Sequence, residues 1–274
     1  MEALIICACA LAGTALLVLA VWLILVAPGA KRGVTRFKGQ KFAHRGLHGE
    51  GVAENSLSAF RAATEAGFGI ELDVRLSSDG VLVVFHDDTL DRVVGREGRV
   101  DRYTAAELAD MRLSGTDDGV PTFAEVLELV NGRVPLLVEI KEDQGNSRVS
   151  ETACAMLAEY KGDYLVESFN PLSLSVVAKK LPEAARGILS HRYYDYEQYR
   201  KPLYFLLQSL LFNRICRPAF VAYDHRHASA VGLRLSRALG ATTFAWTVKS
   251  AEDEKRAMKN GFDGIIFEGY IPEK

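Results

Sequence analysis

Cysteine is scarce in this chain and falls into no pairing pattern. There are four in 274 residues, with no CxxC and no evenly spaced framework. That excludes a disulfide scaffold and a structural zinc site. Cys9 also stands too near the start to be a lipoprotein acylation site. An excess of one charge is missing too. The formal net charge is −2 and no long basic stripe runs through the sequence, so nothing draws the chain globally to nucleic acid. No internal repeat or low-complexity tract appears, which argues against a solenoid.

What is present in quantity is apolar sequence, and its longest run comes first. Residues 3–27 carry no charge, and about 20 such residues suffice for a helix to cross a bilayer. A cleaved signal peptide is the rival reading. It normally has a basic start and a shorter apolar core, whereas only Met1 and Glu2 precede this run and its Ala-Pro-Gly-Ala end is a poor cleavage site. Residues 1–28 therefore read as an uncleaved transmembrane helix and 29–40 as a basic juxtamembrane linker. Lys31, Arg32, Arg36, Lys38 and Lys41 follow the helix and Glu2 alone precedes it. The positive-inside rule then places residues 41–274 on the cytoplasmic side of the cell membrane, where the same basic patch could rest on anionic headgroups.

From Lys41 onward, β-like apolar runs alternate with helical patterns, the signature of parallel α/β units. Eight candidate strands end at Ala43, Asp73, Ile140, Phe169, Ser190, Tyr223, Val248 and Phe267. Helices are expected over 57–66, 123–130, 150–160, 171–180, 228–239 and 251–260, the first capped by Asn55 or Ser56 and ended by Gly67. Eight strands with interleaved helices fit a (β/α)₈ TIM barrel, with an open sheet as the lesser option. Residues 81–86 form a ninth run, too close to its predecessor for a crossover helix. A two-residue Asp79-Gly80 turn makes it a hairpin whose opposed residues sum to 159, setting His86 against Asp73. Residues 89–121 read as a small insertion above the barrel mouth, in which Thr104 to Glu107 is a capping box.

Several chemistry-bearing residues sit at the ends of these runs, where barrel enzymes place catalytic groups. Glu71, Asp73 and Glu139 would repel one another without a cation between them, and an all-oxygen set favours Ca²⁺ or Mg²⁺. His44 and His86 are candidates for acid and base, although an isolated strand-end histidine is more often structural. Arg45 can grip phosphate oxygens through its fork, and Lys141 points the same way as Glu139. Trp246 could pack an alcohol moiety or belong to the core. His48, His191, His225 and His227 read as loop or surface residues, and Asn55 as a cap. The apolar stretch 204–212 reads as a packed barrel helix or, alternatively, as a mouth-side helix touching the bilayer.

The ordered set His44-Arg45-Gly46, Glu54-Asn55-Ser56, Glu71-Leu72-Asp73-Val74, Asp79-Gly80, His86-Asp87, Leu90-Asp91-Arg92, Pro121 to Leu127, Glu139-Ile140-Lys141, Ser168-Phe169-Asn170 and Trp246-Thr247-Val248 resembles the glycerophosphodiester phosphodiesterase family. The resemblance spans residues 41–267. It implies a TIM barrel with an insertion after the His-Asp element and metal-dependent hydrolysis of glycerophosphodiesters to an alcohol and sn-glycerol 3-phosphate. By position it makes His44 and His86 the acid–base pair, Glu71, Asp73 and Glu139 the metal ligands, and Arg45 and Lys141 the phosphate contacts. Ser56, Lys249 and Glu268 depart from the family pattern, where threonine, asparagine and aspartate are usual. The alternatives are a lysophospholipase D acting on membrane lysophospholipids and a silent barrel that binds headgroups or a partner. Neither nucleic acid nor a defined oligomeric state is implied.

Overall fold

The computed structural model describes residues 1–29, 33–142 and 146–273; Lys31 and Arg32 of the basic segment lie outside them. Helix α1 (Glu2–Val26) precedes the strands β1 (Lys41–Ala43), β2 (Gly69–Leu76), β3 (Leu82–Val84), β4 (Leu136–Ile140) and β5 (Tyr164–Ser168). The remaining strands are β6 (Ala185–Ser190), β7 (Phe220–Asp224), β8 (Thr242–Val248) and β9 (Gly264–Phe267). Eight of these close a parallel barrel in the order β1-β2-β4-β5-β6-β7-β8-β9, with β9 back on β1. The ninth, β3, is antiparallel and pairs with β2. The closed barrel and its insertion follow the sequence pattern, with strand ends displaced by a residue at Ser168 and Asp224 and by three at Leu76.

The hairpin is present, but its register is corrected by one residue. Val74 faces Val84 and Leu76 faces Leu82, so opposed residues sum to 158 and Phe85, not His86, lies across from Asp73. The turn explains the slip. Ser77 N donates to the Val81 carbonyl, and Gly80, at φ 81°, donates to the Ser77 carbonyl. This three-residue loop with a left-handed glycine carries the same Asp-Gly pair as a two-residue turn. Asp79 is held out of the ladder by Ser77 Oγ at 2.5 Å and by the Ala105 amide at 3.1 Å.

The helices are α2 (Leu57–Ala66), α3 (Asp91–Val94), α4 (Ala105–Ala109), α5 (Phe123–Val130), α6 (Arg148–Glu159) and α7 (Pro171–Lys180). Then come α8 (Pro202–Gln208), α9 (Asn213–Cys216), α10 (Val231–Ala238) and α11 (Ala251–Lys259). Ser56, not Asn55, caps α2, and Gly67 ends it in the left-handed region. Thr104 and Thr122 form capping boxes with Glu107 and Glu125. The insertion builds a core of its own from Val83, Phe85, Leu90, Val93, Val100 and Leu108.

Inside the barrel, large and small residues alternate across neighbouring strands. Phe42 stands beside Gly69, Phe220 beside Gly187, and Phe244 beside Gly264. Phe244 meets the other two rings edge-on at 5.7 and 5.3 Å. A Cβ on Gly187 would lie 2.0 Å from the Phe220 ring. Gly187→Ala should therefore cost about 1–3 kcal/mol of stability, read as a lower denaturation midpoint at an unchanged m-value. Val34 and Phe37 are buried in this same cluster. The segment following α1 thus closes the end of the barrel where the strands begin.

Candidate active site

Strand alternation aims the acidic residues inward. Leu72, Val138 and Val166 pack toward the helices, so Glu71, Asp73, Glu139 and Glu167 face the barrel axis. Asp73 is level with Glu139, and Glu139 with Glu167. All four are nearly inaccessible to solvent. Oxygens of Glu71, Asp73 and Glu139 lie within 4.8 Å of one another.

The turn after β1 brings the first cation, Arg45, to this cluster. Arg45 and Gly46 both have positive φ, 55° and 82°, and Gly46 N donates to the Ala43 carbonyl. A side chain at Gly46 would strike Ala59. The bend turns the Arg45 amide onto Glu71 Oε2 at 2.9 Å and its Nη1 onto Glu54 Oε1 at 2.7 Å. Arg45 Nε is 3.4 Å from Asp73 Oδ2, which also accepts from Asn55 Nδ2 at 2.9 Å. Lys141 Nζ sits 2.7 Å from Glu139 Oε1 and 3.2 Å from Asp73 Oδ1. Lys141 thus meets both oxygens as a charge partner, and neither accepts an aligned hydrogen bond from another protein group.

Each of the two sequence-predicted histidines is held by a carboxylate through Nδ1. Glu268 Oε2 is 2.6 Å from His44, whose Nε2 is 4.0 Å from Glu71 Oε2. Asp87 Oδ1 is 2.5 Å from His86. Asp87 is gripped by Arg92, which also forks onto Glu54, so a continuous ion-pair chain joins His86 to Arg45. Phe85 N still donates to the Asp73 carbonyl at 2.9 Å; after it the chain leaves the ladder, and Arg75 Nε bonds the His86 carbonyl at 2.9 Å. That departure, not strand pairing, delivers His86 to the cleft.

Burial dominates the electrostatics. It pushes the His44 imidazole below its ordinary range, opposed by Glu268, and drives His86 down to about 4. Burial and the neighbouring carboxylates raise Glu71, Glu139 and Glu167. Burial would raise Asp73 too, but Lys141, His86 and Arg45 hold it far below the carboxylate range. Lys141 stays protonated despite its own burial because Glu139 and Asp73 face it.

His44, Arg45, Glu71, His86, Glu139, Lys141 and Trp246 line one cleft, and Asp73 lies just behind Lys141. Trp246 is partly buried, meets Phe169 edge-on at 5.5 Å and leaves its indole N–H unpartnered. Other assignments need correcting. His225 is buried, not at the surface; His191 lies in the loop after β6 as expected and there joins an aromatic wall with Phe169, Tyr193 and Trp246. Asn55 donates a hydrogen bond to Asp73 and does not cap α2. Glu54, Asp87, Glu167 and Glu268 went unassigned. Glu167 had a readable signal, a carboxylate in an apolar run one residue before a strand end, as Glu139 is.

The chain's sequence matches the profile of the glycerophosphoryl diester phosphodiesterase family over residues 44–269. A glycerophosphodiester phosphodiesterase of Caldanaerobacter subterraneus subsp. tengcongensis is 34% identical over 246 residues, covering 82% of this chain and 91% of that protein. Human glycerophosphodiester phosphodiesterase 1 is 26% identical over 266 residues, covering 84% and 76%. The crystal structure of the Thermotoga maritima glycerophosphodiester phosphodiesterase superposes with a TM-score of 0.65 at 28% identity, covering 84% of this chain and 94% of that one. An Oleispira antarctica phosphodiesterase, solved with its product sn-glycerol 3-phosphate, shares the fold at a TM-score of 0.71 and 24% identity, covering 85% and 94%. The molecule is an α/β-barrel protein of the phosphodiesterase type. It belongs to the glycerophosphoryl diester phosphodiesterase family.

Proposed function

We propose that the chain hydrolyses glycerophosphodiesters to an alcohol and sn-glycerol 3-phosphate. The observation that carries this is the convergence of two carboxylate-oriented imidazoles, two cations and a buried carboxylate triad on one cleft. His44 and His86 follow β1 and β3, both of which pair with the strand bearing Glu71 and Asp73. One imidazole removes the proton of the attacking hydroxyl and the other protonates the departing alkoxide. This pair serves water and the glycerol 2-hydroxyl equally well as nucleophile. Arg45 and Lys141 orient the phosphodiester and offset charge on its oxygens. Phe169 and Trp246 form an apolar wall for the alcohol.

A divalent cation fits the acidic cluster. Oxygens of Glu71, Asp73 and Glu139 lie within 4.8 Å of one another, with Lys141 the one cation on Asp73 Oδ1 and Glu139 Oε1 among the described residues, and the oxygen-only set suits Ca²⁺ or Mg²⁺. Glu71, Asp73 and Glu139 would hold it. When bound, such an ion polarises a phosphoryl oxygen and lowers the pKa of the nucleophile. The direct test is glycerol 3-phosphate release from glycerophosphocholine with and without EDTA. Release that EDTA abolishes and Ca²⁺ or Mg²⁺ restores supports the reading. Silence with metal present and the domain folded would reject it.

Glu268 stabilises the imidazolium of His44, so its carboxylate raises that pKa. Glu268→Gln should lower it, and the limb of the pH–kcat/KM profile that His44 sets, acidic if it is the base and basic if it is the acid, should move to lower pH while kcat falls. An unchanged limb would remove His44 from the titration that limits the rate.

Helix α1 is long and apolar enough to span a membrane, and we read it as a retained anchor. Its last turn is built into the barrel, since Val26 O accepts from both Asn213 Nδ2 and Ser236 Oγ. Cleavage after the helix would break that joint. The basic residues that follow it favour a cytoplasmic barrel. Lysophospholipase D activity is the second reading, and α8 favours it. Instead of packing on the sheet, α8 exposes Leu203, Phe205 and Leu206. Choline release from lysophosphatidylcholine, without hydrolysis of glycerophosphocholine, would select that reading.

A further inference from the structure

The path of α1 past the barrel gives the direction of the bilayer. Gly29 N bonds the Pro218 carbonyl, just before β7 begins. Val26 is tied to Asn213 and Ser236. Trp22 shares a groove with Arg192, Phe205, His227 and Val231, which follow the ends of β6 and β7. Read backwards from Gly29 to Trp22, the helix therefore climbs from the end where strands start to the end where the active-site cleft opens. Residues 1–21 continue beyond that level and are exposed throughout. At about 1.5 Å per residue they measure about 30 Å, the thickness of a hydrocarbon core.

The surface at this level suits an interface between water and lipid. Leu203, Phe205 and Leu206 of α8, Val231 of α10 and Tyr196 are all exposed there. Arg200 and Lys201 flank α8 and are also exposed. With residues 1–21 spanning a bilayer, Trp22 and the tyrosines would fall at the headgroup depth that such rings prefer. A tyrosine ladder then leads inward. Tyr204 packs on Tyr193 at 5.3 Å, Tyr193 on His191 at 4.0 Å, and His191 on Trp246 at 6.0 Å.

We propose that the barrel is seated mouth-down on the bilayer that α1 spans, with α8 inserted at the boundary between headgroups and acyl chains. The occupant of this apolar face is the lipid surface itself. The inference rests on the reading of α1 as a retained anchor and adds a substrate route to the proposed reaction, because a glycerophospho headgroup presented by the membrane faces the cleft. Arg36, Lys38 and Lys41, paired with Asp163, Asp263 and Glu254, lie at the opposite end of the barrel. They are turned away from the lipid in this arrangement.

Depth-resolved quenching tests the seat on the full chain. Leu206→Cys on α8 and Lys180→Cys at the far end each carry a bimane label, in a chain whose four native cysteines are replaced by serine. The protein is reconstituted in phosphatidylcholine vesicles containing phosphatidylglycerol. Position 206 should be quenched by doxyl lipid and shielded from iodide on the order of tenfold relative to position 180. Equal iodide access at both positions overturns the proposal. So does shielding of position 180 alone, which would put the basic rim on the lipid, and so does an intact mass showing that residues 1–28 have been removed. Quenching needs no turnover. A chain inactive on glycerophosphocholine but shielded at position 206 would reject the proposed activity and leave the seat standing. Where the chain cleaves vesicle-borne lysophospholipid as well as glycerophosphocholine, Phe205→Asp combined with Leu206→Asp should lower the former at least about tenfold. Hydrolysis of soluble glycerophosphocholine should be unchanged, and equal loss on both substrates would overturn the seat.

Discussion

His44→Ala and His86→Ala should each lower kcat on glycerophosphocholine about a thousandfold, the middle of the range for a removed proton-transfer group. Neither change should unfold the barrel. Both imidazoles line the cleft, and the backbone bond that ties His44 to β9, from its amide to the Phe267 carbonyl, survives the change to alanine. Thermal midpoints should therefore stay close to wild type. The two variants separate by leaving group. A glycerophosphodiester of an acidic alcohol such as p-nitrophenol needs no protonation as it departs, so it should rescue whichever histidine is the acid. The other variant should stay inactive on both substrates. Rescue of both would mean that neither imidazole acts as the base. Retention of more than about a tenth of wild-type turnover in either variant would remove that histidine from the chemistry.

The barrel and most of its cleft were legible in the sequence because both depend on short-range patterns. Period-two alternation puts Glu71 with Asp73, and Glu139 with Lys141, on one face, and strand ends put them at the mouth. What failed depends on contacts distant in sequence or on turn geometry. Asn55 and Asp73 are 18 positions apart and meet only because the left-handed turn at Arg45 folds the loop back. Glu268 reaches His44 across 224 positions, a contact that exists only once the barrel has closed. Asp79-Gly80 looks the same in two-residue and three-residue loops, so the hairpin was legible and its register was not. The stretch 204–212 had the composition of a core helix, and only the position of α1 beside it gives its exposure a meaning.

Asp73→Asn should be the most damaging change at the acidic cluster, with kcat down on the order of a thousandfold and the divalent-cation response lost. The side chain has two jobs that no neighbour can take over. Its Oδ2 is fixed by Asn55 and approached by Arg45, while its Oδ1 faces Lys141. The amide keeps the shape but removes the charge that holds both cations in place. It also leaves a two-carboxylate set for the cation. The stability readout separates these effects from misfolding. In wild type, three crowded carboxylates repel: burial and then the Asp73 charge push both Glu71 and Glu139 above their ordinary range, and Glu139 adds to the effect on Glu71. A cation that binds only the folded chain should then raise stability by about 2.7 kcal/mol at a hundred times its dissociation constant. Wild type should gain in melting temperature with Ca²⁺ or Mg²⁺, and Asp73→Asn should show no such gain while remaining folded in EDTA. A variant that kept the full cation-dependent gain would place the ion away from Asp73. The divalent requirement would then have to be met without Asp73, and Glu167, level with Glu139 and carrying an unpartnered Oε2, would be the next residue to change.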